Sequence, residues 1–160
     1  MIELKPVVFT KPNTAEFLSC GEVDTDNLKE TQVVVKSAFT TVSAGTERAN
    51  ITGSANLGQK CATFPVVLGY NCAGEVVAVG AKVSKVKVGD RVVVYWSKHS
   101  NYNIIEESRV VKIEDEGICY EDAAVSFIAT FSLAAIRKVK LEIGGILNGN
   151  GIGDFRATCR

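Results

Sequence analysis

The sequence has a single histidine, His99, and five cysteines, Cys20, Cys61, Cys72, Cys119 and Cys159, with no Cys-x-x-Cys pair among them. One histidine excludes a histidine-rich metal site and leaves a Ser-His pair one candidate only. An odd, scattered set of cysteines argues against both a disulfide framework and a zinc ribbon; most of these thiols are expected to be small buried hydrophobes. His99, flanked by Lys98, Ser100 and Asn101, is expected to be a solvated loop side chain. Charge of one sign is not in excess: Lys plus Arg and Asp plus Glu stand at 18 each. No basic field therefore draws the chain onto phosphate backbones or anionic lipid, and nucleic acid is not an expected partner. No apolar run approaches the ~20 residues that span a bilayer, and Met1 to Pro12 has neither a basic nor an apolar leader segment. No membrane partner is expected, and the location is read as cytoplasmic. Internal repeats and low-complexity linkers are absent.

What is present is the composition of a folding chain. In 160 residues, 46% are hydrophobic and 22% charged, enough for one domain with a full core, or one domain plus a fragment of another. Up to about residue 113 the pattern is β. "TQVVVKSAF" (31–39), "CAGEVVAVG" (72–80), "DRVVVYW" (90–96) and "SRVVKI" (108–113) are strand candidates rich in β-branched residues. Gly80-Ala81 and Gly89-Asp90 punctuate them, with glycine expected to supply the positive φ of tight connections. Such closely spaced strands point to a barrel or sandwich rather than to alternating βαβ units.

From Tyr120 the period changes. Tyr120, Ala124, Phe127, Ile128, Phe131 and Ala135 recur at three- and four-residue steps, predicting one helical face, with Glu121 and Asp122 placed to suit the helix dipole. The helix is expected to break near Thr130 and run to about Lys138, with Gly144-Gly145 as the turn beyond. The tail, "GGILNGNGIGDFRATCR" (144–160), holds a possible strand start at Ile146-Leu147. Its Gly149-x-Gly151 resembles the glycine turn of a dinucleotide-binding fold. The third glycine of that fingerprint would fall on Asp154, whose charge is wrong for phosphates. A βαβ unit needs roughly 30 residues, so no complete nucleotide-binding domain fits after Ile146.

"FPVVLGYNCAGEVVAVGAKVSKVKVGDRVVV" (64–94) resembles the medium-chain, zinc-type alcohol dehydrogenases, which read P-x-x-x-G-H-E-x-x-G-x-V-x-x-V-G ahead of a Gly-Asp-Arg-Val turn. "SAGTE" (43–47) resembles that family's Cys-Gly-Thr-Asp loop, and "EDAAVSFIATFSLAAI" (121–136) its helix pair before the nucleotide domain. The resemblance implies a mainly β fold with α: a GroES-like, partly open β-barrel over residues 1–143, with C-terminal helices, and at 144–160 the start of a truncated nucleotide-binding domain. In a full-length protein it implies NAD or NADP as cofactor and a small-molecule substrate, with oligomers compatible. For this chain alone no bound cofactor and no activity are expected.

In that family the loop cysteine and the histidine of Gly-His-Glu hold a catalytic zinc. Here those positions are Ala44 and Tyr70, and the acid that follows is Asn71. The four-cysteine structural zinc lobe is also missing from "YWSKHSNYNIIEESRVV" (95–111), so no metal site is expected. Thr46 matches the threonine that the family places beside the substrate oxygen, and Thr130 one near the nicotinamide. Tyr70 is a candidate proton donor. The catalytic candidates are thus Thr46 and Tyr70, and the cofactor-binding candidates Thr130, Gly149 and Gly151. Thr46, Thr130 and Tyr70 each have a plainer alternative: an ST-turn for Thr46, a helix cap for Thr130 and simple packing for Tyr70. Glu47 is expected to be solvated or paired nearby. The reading is a zinc-independent NAD(P)-dependent oxidoreductase domain, and the alternative is a non-catalytic GroES-like binding or structural module.

Overall fold

The computed structural model describes residues 1–53 and 63–139. The chain divides into two units, Met1–Val125 and Ser126–Arg160. In chain order the strands are β1 (Ile2–Glu3), β2 (Val7–Lys11), β3 (Thr14–Phe17), β4 (Glu22–Val23), β5 (Gln32–Thr41), β6 (Val66–Val67), β7 (Asn71–Val79), β8 (Arg91–Tyr95), β9 (Tyr102–Glu106) and β10 (Val110–Lys112). The helices are α1 (Thr46–Ile51) and α2 (Tyr120–Val139).

Five strands form the main sheet in the order β10-β8-β7-β5-β9, and β3-β2-β6 and β1-β4 form two smaller sheets. The sheets do not close on one another, as a partly open barrel requires. The Val-rich runs form the centre because β-branched side chains pack well on a pleated surface. Val33, Val35, Cys72, Val76, Val92 and Val94 are fully buried in one cluster with Val86 and Val110. Burying each such valine is worth roughly 1.5–3 kcal/mol.

The opposite face of β7 and β8 is built differently. Cys72 pairs with Val94 and Ala73 with Val93, so alternation sends Ala73 and Val93 away from the valine cluster. There Ala73 packs with Ala123 and Ala124, from the first turns of α2. Small side chains on both partners let the helix approach the sheet closely. Within α2, Glu121 and Asp122 occupy the first turn, and the Cys119 sulfur accepts the backbone N–H of Asp122.

The expected break near Thr130 does not occur. α2 runs unbroken to Val139, because the Thr130 hydroxyl donates to the Phe127 carbonyl of its own helix at 2.6 Å, a local bond that leaves the backbone ladder in place. Phe131 stacks edge-on to Phe127 at 5.7 Å, yet it and Ala135 are exposed rather than on a buried face. Two glycine turns also differ from each other. Gly89 has φ +89°, as a tight turn requires, whereas Gly80 has no positive φ; a Cβ there would lie 2.2 Å from the Lys29 carbonyl oxygen, so close backbone approach explains it. Of the described cysteines only Cys72 is buried, while Cys20 and Cys119 are exposed. Cys61, Lys140, Gly144-Gly145, Ile146-Leu147, Gly149, Gly151 and Cys159 lie outside the described residues.

Candidate active site

Three segments far apart in sequence converge beyond the ends of β5, β7 and β8. The first is the loop Ser43–Gly45 with α1. The resemblance implies a loop at "SAGTE", but Thr46 begins a helical turn whose N-terminal neighbour, Gly45, has φ −79°. The second is the stretch from β6 to Tyr70. The third follows β8, from Trp96 to His99.

Gly69 joins the second segment to the third. The His99 N–H donates to Leu68 O at 3.0 Å and the Ser97 N–H to Tyr70 O at 3.2 Å. A Cβ on Gly69 would stand 2.5 Å from Lys98 Cα and from Ser97 O, and φ is +154°. Only glycine allows this contact. It sets Tyr70 beside Trp96, whose rings meet edge to face at 5.2 Å between centroids. Trp96 has φ +58°, a left-handed conformation costing about 1–3 kcal/mol for a bulky residue, and its ring is exposed.

Thr46 and Tyr70 line the same cleft, of about 240 Å³, together with Glu47, Trp96 and Lys98. Burial pushes the Tyr70 phenol above its ordinary value, which keeps it a protonated donor at neutral pH. Ala44 offers only a methyl group. The Asn71 side chain is fully buried, its amide donating to Ala124 O, and its Oδ1 has no partner among the described residues. Methyl, neutral phenol and amide are not the Cys, His or carboxylate ligands that zinc takes. No cluster of three such ligands occurs among the described residues.

The polar centre of the site is one that sequence reasoning missed. Glu47 and His99 are both buried, and Glu47 Oε1 lies 2.7 Å from His99 Nε2. Glu47 Oε2 accepts the Ser43 N–H, and His99 Nδ1 lies 2.9 Å from the Thr40 hydroxyl. With Glu47 as a carboxylate, Nε2 carries a proton, and Nδ1 of a neutral ring accepts from Thr40. The solvated His99 of the sequence reading is not found, and Glu47 is buried rather than solvated: it bonds nearby to the Ser43 N–H, as expected of a locally paired acid, but its second partner lies 52 positions away. β5 supplies Thr40 because two register shifts bend the strand end, one between Val34 and Val35, the other between Ser37 and Phe39. The next residue, Thr41, donates its hydroxyl to Ala124 O at 2.8 Å. A buried acid between His99 and Ser43 therefore fixes α1, and with it Thr46. Nothing local in the sequence signals the pair, except that each is the charged or titratable member of a loop reaching the same sheet end. Thr130 lies on α2 in the second unit, exposed.

The comparisons agree with this fold. Residues 29–131 match the alcohol dehydrogenase GroES-like domain. Sorbitol dehydrogenase of Bacillus subtilis (strain 168) is 46% identical over a region covering 56% of this chain and 33% of that protein. (R,R)-butanediol dehydrogenase of the same organism is 32% identical over 51% of this chain and 31% of that protein. The chain thus spans about a third of the length of these curated relatives. In structure it is similar to a mutant form of enoyl thioester reductase from Candida tropicalis, with TM-score 0.71 at 19% identity, covering 89% of this chain and 45% of that one. The domain match across the strands and loops that build this cleft identifies the chain as a member of the alcohol dehydrogenase GroES-like domain family, among the alcohol dehydrogenase-like, medium-chain oxidoreductases.

Proposed function

We infer that this chain carries the substrate-side domain, residues 1–143, of a zinc-independent NAD(P)-dependent oxidoreductase whose nucleotide-binding domain starts at 144–160. One observation carries the reading: Thr46 and Tyr70 come from segments 24 positions apart and line one cleft, while the positions that would grip a metal present a methyl, a phenol and an amide. The residues do not fit zinc, so oxygen polarisation falls to hydroxyl donors. The Tyr70 phenol, protonated at neutral pH like any tyrosine and the more so for its burial, and the Thr46 hydroxyl donate to a substrate oxygen as negative charge develops there. Hydroxyl donors are weaker than a Lewis acid, which favours substrates that are already electrophilic, such as quinones or enones. NAD or NADP supplies the hydride when bound, with Thr130, Gly149 and Gly151 as its contacts on this chain.

The native gene product, assayed for NADH and NADPH oxidation with quinones and enones, tests this. Turnover is expected to persist after exhaustive chelation, and Tyr70→Phe and Thr46→Ala each to lower it by about 10²-fold or more, as for loss of one donor to a developing oxyanion. Activity abolished by chelation and restored by zinc would refute the reading.

A further inference from the structure

A second cavity adjoins the cleft. It measures about 330 Å³ and its walls are mainly apolar, with Leu4, Pro6, Tyr102 and Ile104 among them. This is within the size range of small-molecule pockets, about 300–1,000 Å³. Cys20 and Lys98 also line it. Val67 and Lys98 line both spaces, so the cavity and the Thr46/Tyr70 cleft border each other along these two residues.

Lys98 is an exposed residue whose backbone is held in place at that border. Its backbone is clamped by Asn103, whose Oδ1 accepts the Lys98 N–H at 2.8 Å and whose Nδ2 donates to the Lys98 carbonyl at 3.1 Å. Asn103 is itself buried at 5% exposure, so the clamp is rigid. The ammonium donates to Val67 O at 3.2 Å, which holds it at the shared wall. Among the described residues no carboxylate pairs with it. Glu47, the acid of the neighbouring cleft, is engaged by His99 and Ser43. An unpaired cation at the mouth of an apolar cavity complements one kind of molecule: a hydrocarbon chain that ends in an anion.

We propose that this cavity binds the apolar chain of a small amphipathic carboxylate, with its carboxylate at Lys98, and that it is the tail subsite for substrates of the adjoining cleft. As a substrate subsite it rests on the oxidoreductase reading above; as a binding site it does not. The oxidoreductase consequence is a preference for electrophilic carbonyl compounds that carry an apolar chain and an acid group.

Cys20 gives a direct readout, since alkylation of a thiol in the cavity wall is slowed by an occupant. The 160-residue chain is treated with iodoacetamide, and Cys20 and Cys119 are followed separately by peptide mass spectrometry. Saturating hexanoate is expected to slow Cys20 about tenfold and leave exposed Cys119 unchanged. Hexylammonium is expected to give no protection, and 1-hexanol to need about tenfold more ligand, the equivalent of one charge-assisted hydrogen bond. Lys98→Gln, a surface change whose fold is checked by its urea midpoint, should erase the advantage of hexanoate over hexanol. Absence of protection, equal slowing of Cys20 and Cys119, or equal potency of hexanol and hexanoate would each overturn the site. No nicotinamide or hydride acceptor is present, so this outcome is independent of the activity test. In the native gene product an enone bearing such a carboxylate chain should have a KM about tenfold below that of its neutral amide. Equal KM values alongside Cys20 protection would leave the binding site standing and overturn its assignment to the substrate.

Discussion

Breaking the Glu47–His99 pair tests whether the cleft is held together from within. Glu47 is 4% exposed and His99 7%, so neither can recover a lost partner from water. Glu47→Ala strands two donors, His99 Nε2–H and the Ser43 N–H. A buried group left unsatisfied costs about 1–3 kcal/mol, so the variant should lose about 2–6 kcal/mol. His99→Ala strands Glu47 Oε1 and the Thr40 hydroxyl and should cost a similar amount, also about 2–6 kcal/mol. The double variant should cost less than the sum by about 1.5–3 kcal/mol, the range of a hydrogen bond to a charged group. Urea unfolding followed by the fluorescence of Trp96, the sole tryptophan, yields all three values, with m unchanged if only stability has moved. In a chain of this size each kcal/mol corresponds to about 2–4 °C in Tm, which gives an independent check. A coupling below about 0.5 kcal/mol, the level of non-interacting sites, would show that carboxylate and imidazole do not meet and that α1 is held in some other way.

Gly69→Ala should destabilise the chain by about 3 kcal/mol or more, because the added methyl meets backbone atoms that cannot rotate away; a loss below about 1 kcal/mol in the same assay would contradict the close approach. Asp90 accepts the Lys87 N–H at 2.9 Å and pairs with Lys112 at 3.0 Å, and these bonds, the Lys87 one foremost, hold its carboxyl below the ordinary range. A depressed folded-state value means that its stabilisation is present above the unfolded value of about 3.9 and is lost as pH falls through the folded one. Asp90→Asn should therefore flatten stability against pH in the acid region, and an unchanged acid slope would count against it. Spectrophotometric titration should show one phenol, assigned to Tyr70 by Tyr70→Phe, ionising above the usual value of about 10; a Tyr70 ionising at or below it would contradict the burial of its hydroxyl.

The β-rich valine runs, the acidic first turn of α2 and the family-wide glycine spacing were legible in the chain itself, since each depends on local period or on the shape of a single residue. Periodicity also found α2, but the break expected near Thr130 does not occur: the Thr130 hydroxyl bonds within its own helix and interrupts nothing. β1, β3, β4 and β6 are too short to carry a pattern, β2 and β9 lack the runs of three valines that mark β5 and β8, and pairing across the sheets defines all six. At the candidate site, the family resemblance singles out Thr46 and Tyr70, and the structure sets both on one cleft; the side-chain types at Ala44, Tyr70 and Asn71 are read directly from the sequence. Only tertiary structure brought His99 out of solvent and onto Glu47, 52 positions away, and made Lys98 the wall shared by two cavities. Residue type and spacing specify what a segment can bury, whereas which distant polar groups become partners depends on where Gly69 and the bent end of β5 let three separate loops meet.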